Sequence, residues 1–118
     1  MRSRKISVPI HGALEVIAAP GIMIAPFLLG FGTTASVLCV AFGAVLFGLA
    51  LQLEGPRPAI PLSAHAGFDY ALAFAAVAGG IAIGVSSTDW AAASFLTGIG
   101  AALAMLAAST RFTSPRGA

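Results

Sequence analysis

Four long apolar runs limit what this chain can fold into. They cover residues 10–31, 35–51, 64–85 and 90–109. As a helix rising about 1.5 Å per residue, the first run measures about 33 Å, and a bilayer hydrocarbon core is about 30 Å thick. Each run is longer than a transmembrane strand of about 9–11 residues, and none alternates polar with apolar side chains. A water-soluble alternative fails on polarity. Only 8% of the residues are charged and 58% are hydrophobic, whereas soluble domains carry about 25% charged residues. The expected fold class is therefore an all-α membrane protein, with four transmembrane helices arranged as two helical hairpins repeated in parallel.

The punctuation between the runs divides the chain. Residues 1–8 form a basic lead, and Pro9 suits a helix start, where its missing N–H costs little. Residues 9–52 form the first hairpin, turning at Gly30-Phe-Gly-Thr-Thr34. Pro20 and Pro26 inside its first helix should bend that helix. Residues 53–62 are a proline-rich linker. Residues 63–109 form the second hairpin, turning at Ser86-Ser-Thr-Asp89, with Asp89 as the expected N-cap of the last helix. Gly80-xxx-Gly84 is a helix-packing signal, and Trp90 suits a membrane interface. Residues 110–118 are a polar tail.

The basic residues point to an orientation. Arg2, Arg4, Lys5, Arg57, Arg111 and Arg116 fall in the lead, the linker and the tail, and the other two turns hold neither Lys nor Arg. By the positive-inside rule, both termini and the linker are expected to be cytoplasmic. The same placement accounts for the net charge of +2 without a nucleic-acid partner. The basic N-terminus resembles a signal peptide. However, the run behind it carries Glu15 and two prolines and exceeds an h-region of about 7–15 residues, so it is expected to remain as the first helix. Cys39, the single cysteine, lies inside an apolar run and is expected to pack rather than react.

The chain also repeats itself. His11-Gly-Ala-Leu-Glu15 recurs 54 positions later as His65-Ala-Gly-Phe-Asp69. The same shift, taken without a gap, pairs Gly30 with Gly84, Thr34 with Thr88, Leu49 with Leu103, Ala50 with Ala104 and Arg57 with Arg111. A unit with two crossings returns to its starting side. The copies are therefore expected to be parallel, about an axis along the membrane normal, with both motifs at the same depth. The chain has only four acidic residues and two histidines, and these motifs hold both histidines and two of the acids. Residues i and i+4 share a helix face, so each pair can touch, and the four can cluster if the first and third helices adjoin.

Two uses of His11, Glu15, His65 and Asp69 follow. The preferred one is a polar clasp without a cofactor, in which the groups share protons and fix helix register. The second is a divalent metal site, since two imidazoles and two carboxylates suit zinc, iron or manganese. The familiar helical spacing for such metals is Glu-x-x-His rather than His-x-x-x-Glu. Proton or ion handling and a bis-histidine haem are further readings of the same four residues.

Ile24-Ala-Pro-Phe-Leu-Leu-Gly-Phe31 resembles the core of the SPW-repeat membrane proteins, small bacterial proteins built from two-helix repeats. Ala25-Pro26-Phe27 stands where that family has Ser-Pro-Trp, and Gly79-Gly80-Ile81 departs further in the second copy. The resemblance spans roughly residues 9–109. It implies a multi-pass protein of the bacterial inner membrane with no assigned activity, and it carries over no catalytic residue. The chain shows no phosphate loop and no Ser/His/Asp or Cys/His set, so no enzyme is expected. The expected role is a structural or accessory membrane component. Its partners are the lipid bilayer and either itself or a larger membrane complex.

Overall fold

The computed structural model describes residues 4–53 and 60–112. Arg2, Arg57, Arg116 and the middle of the linker lie outside them. Four helices make up the fold: α1 (Val8–Leu29), α2 (Thr33–Leu51), α3 (Leu62–Ser86) and α4 (Trp90–Ala108). Each is long and apolar enough to cross a membrane.

Local chemistry sets the helix ends. Pro9 lies in the first turn of α1, and the helix runs on through Pro20 and Pro26. It stops at Gly30, whose φ of 72° puts it in the left-handed region that glycine adopts without strain. The Pro26 carbonyl accepts the Phe31 N–H at 2.9 Å, closing the turn. Asp89 caps α4 by accepting the Ala92 N–H at 3.3 Å. Its second carboxylate oxygen accepts the Gly32 N–H at 2.8 Å, which ties the two hairpin turns together.

Packing is heaviest within each hairpin, α1 on α2 and α3 on α4. The hairpins then meet along α2–α3 and α1–α4. Around the bundle the order is α1, α2, α3, α4, which places α1 and α3 diagonally opposite. They do not pack side by side. Their side chains meet on the central axis. Glycines set the closest approaches: Gly43 against the Ala19 carbonyl and Met23, Gly100 against the Ala73 carbonyl and Val77, and Gly80 against the Ala93 carbonyl and Thr97. Gly80-xxx-Gly84 is therefore spent inside the second hairpin. Without a hydrophobic drive between helices in lipid, such close packing carries much of the association.

The surface is unlike that of a soluble bundle. Val85, Leu28 and Phe74 are more than three-quarters exposed, while the core combines Ile22, Leu46, Leu96 and Leu103 and many alanines with four ionisable side chains. A large apolar exterior around a buried ionisable cluster suits a lipid surround.

The repeat is real but gapped. α3 starts 54 positions after α1 and ends 57 after it, and α2 maps onto α4 at 57 throughout. The second copy thus carries three extra residues in α3, and the gapless pairing of Thr34 with Thr88, Leu49 with Leu103 and Ala50 with Ala104 is corrected. At the new offset, buried Ala35, Cys39, Gly43, Leu46 and Ala50 meet buried Ala92, Leu96, Gly100, Leu103 and Ala107. The grooves within the hairpins match too, since Thr33, Ser36, Val37 and Val40 line one and Trp90, Ala93, Ser94 and Thr97 the other.

The segments flanking the bundle also meet. Ile6 donates its N–H to the Ser109 carbonyl at 3.0 Å, and the Arg111 N–H donates to the Ile6 carbonyl at 2.8 Å. Among the described residues this single Ile6–Thr110 bridge is the only β-type pairing.

Candidate metal centre

His11 and Glu15 lie on the inner face of α1, one turn apart, and His65 and Asp69 lie on the inner face of α3. The 54-residue offset holds over this half of the repeat, so the two pairs occupy corresponding positions on α1 and α3. All four side chains are at most 1% exposed. The sequence-predicted site residues are therefore all brought together.

Each imidazole faces both carboxylates. His11 Nε2 is 2.9 Å from Glu15 Oε2 and 2.7 Å from Asp69 Oδ2. His65 Nε2 is 3.3 Å from Glu15 Oε1 and 3.3 Å from Asp69 Oδ2. The imidazole rings stand edge to face, with centroids 5.5 Å apart. One potential ligand atom from each residue lies within 4.8 Å of all the others.

The hydrogen bonding is incomplete. Among the described residues, Glu15 Oε1, Asp69 Oδ1 and both ring nitrogens of His65 lack a hydrogen-bond partner. A buried polar group without a partner costs about 1–3 kcal/mol. His65 Nε2 nevertheless lies 3.3 Å from Glu15 Oε1 and from Asp69 Oδ2, so the cluster is held more tightly through His11 than through His65.

A residue that the sequence reading placed in the polar tail completes one side. Thr110 is fully buried, and its Oγ1 lies 2.8 Å from His11 Nδ1. The Thr110 hydroxyl donates its one hydrogen to the Leu106 carbonyl at 2.6 Å. It must therefore accept from His11, which puts a proton on Nδ1. Phe112 follows, with its ring centroid 5.1 Å from that of His11 and 6.0 Å from that of His65. The chain after α4 thus roofs the cluster. The only sequence signal for this was the Ser109-Thr110 pair at the end of α4, which nothing connects with His11 before the fold is known.

The donor set fits a small divalent cation. Tetrahedral zinc takes nitrogen and oxygen ligands at about 2.0–2.2 Å, which puts ligand atoms roughly 3.3–3.6 Å apart. The two His65 distances of 3.3 Å match, the two His11 distances of 2.9 and 2.7 Å would have to open by about 0.4–0.9 Å, and the set as a whole, within 4.8 Å, would have to draw in. Calcium, which wants six to eight oxygens, does not suit two imidazoles. A haem does not fit either, because Glu15 and Asp69 fill the space between the rings. No family model, curated protein or solved structure matches the chain. The likeness to SPW-repeat proteins finds no support there, and the site is read from its own geometry.

Proposed function

We propose that the chain is a small accessory membrane protein whose two hairpins are joined at one end by a divalent transition metal. His11 and His65 ligate through Nε2, and Glu15 and Asp69 through one carboxylate oxygen each. The observation that carries this is the convergence of four buried donor atoms, two from each hairpin, with unpartnered polar atoms among them. Charge balance is compatible with this reading. A divalent ion brings two carboxylates beside two neutral imidazoles to zero charge, as a proton on each imidazole does in the clasp. The proton on His11 Nδ1 leaves its Nε2 lone pair free for an ion.

The second reading is the proton-sharing clasp, favoured by the short contacts of His11 Nε2 with both carboxylates. There, an N–H on Nε2 takes the place of the ion. Location in the bacterial inner membrane rests on the family resemblance alone. Cytoplasmic placement of the site's end of the bundle rests on the basic residues. Neither reading includes catalysis.

The test is purification in mild detergent, metal analysis, and thermal unfolding with and without zinc after treatment with chelator. The metal reading expects about one ion per chain, an upward shift of the transition with zinc, and loss of that shift in Asp69→Asn. If neither zinc, manganese nor iron(II) moves the transition, the metal reading fails, and the clasp reading then requires Glu15→Ala and Asp69→Ala to lower the transition more than Glu15→Gln and Asp69→Asn do; no effect from any of these changes would end both readings.

A further inference from the structure

The two halves of the site are not equivalent, and the difference can be traced to one residue. Leu53 follows α2 as Thr110 follows α4, 57 positions earlier. The backbone bonding is the same at both. Gln52 and Leu53 donate to the Leu49 and Ala50 carbonyls, and Ser109 and Thr110 donate to the Leu106 and Ala107 carbonyls. Where the second copy has Thr110, whose hydroxyl meets His11, the corresponding position of the first copy is Leu53, which carries no hydroxyl. The outer nitrogen of His65 correspondingly has no partner among the described residues, while that of His11 is bonded.

We infer, on the metal reading above, that Thr110 is the positioning residue that makes His11 the fixed ligand, and that ions enter and leave by way of His65. A ligating histidine normally donates its other N–H to an outer group, which sets the tautomer and holds the ring. The Leu106 carbonyl, Thr110 hydroxyl and His11 Nδ1 form such a chain, with each hydrogen assigned by the carbonyl that cannot donate. Among the described residues His65 has no equivalent hydrogen-bond partner on its outer nitrogen, so on this inference its ring is the ligand that turns away while His11, Glu15 and Asp69 keep their places. The segment carrying Thr110 is itself held to the lead by the Ile6 bridge and by the Arg111 guanidinium, which donates to the Arg4 carbonyl at 3.0 Å.

The experiment uses the full chain in detergent with cobalt(II), whose visible spectrum reports ligand number, and measures affinity and release into chelator. Thr110→Val should weaken cobalt binding by about 10–100-fold, the range for lost outer partners. Thr110→Ser should restore it to within a few-fold. Leu53→Thr, which puts a hydroxyl at the position corresponding to Thr110, should slow release with an unchanged spectrum. Thr110→Val binding as wild type, Thr110→Ser binding as weakly as Thr110→Val, or Leu53→Thr releasing as fast as wild type would each overturn the inference. If Thr110→Val does not fold, the Leu53→Thr release rate decides alone. Failure of the wild type itself to bind cobalt or zinc would instead sink the metal reading.

Discussion

Removing His65 leaves Glu15 and Asp69 to share a single imidazole in a site that water does not reach. In protein stripped of metal, His65→Ala is expected to cost about 3–5 kcal/mol, because a buried carboxylate loses its counterpart. Exchanging all four groups together for leucine is expected to be neutral or stabilising, since the exchange removes every charge at once. Chemical unfolding in detergent with chelator present measures both. A single-site loss no larger than that of the fourfold variant would mean the groups do not depend on each other. The four residues were legible in the sequence because ionisable groups are so scarce that a repeated His-x-x-x-carboxylate spacing stands out. Thr110 was not, because its partner is 99 positions away and a lone threonine after a helix has many ordinary uses.

Close helix approach gives the elements their own test. A Cβ on Gly100 would stand 2.6 Å from the Ala73 carbonyl oxygen and 2.9 Å from the Val77 nitrogen, both backbone atoms that cannot step aside. Gly100→Ala is thus expected to push α4 off α3 and destabilise the fold by about 1–3 kcal/mol. Gly98→Ala, on the same helix with no heavy atom within 4 Å, should leave unfolding in detergent unchanged. Equal effects would remove the packing argument. The helices themselves were legible from run length. The three-residue insertion was not, for a geometric reason. Three residues turn an α-helix through about 300°, close to a full turn, so a gapless shift keeps nearly the same face inward and disguises the slip.

At the scale of the whole molecule, the distribution of basic residues predicts which side each turn faces. Reporter fusions after Gly32, Gln52, Thr88 and Ala118 are expected to read outside, inside, outside and inside. An outside signal at Gln52 would invert the molecule and put the His–carboxylate cluster at the outer face. The bridge between Ile6 and the residues after α4 has a further consequence, for the order of the chain. It joins α4 to α1 without a covalent bond, at the same end where the linker joins α2 to α3. Neither connection is then privileged. A circular permutant, opened within residues 54–59 and closed by a short flexible loop between the segments around Ile6 and Phe112, would read α3, α4, α1, α2. It is expected to melt within a few degrees of the parent and give the same cobalt spectrum. The first hairpin would then be the second, and nothing in the site would change.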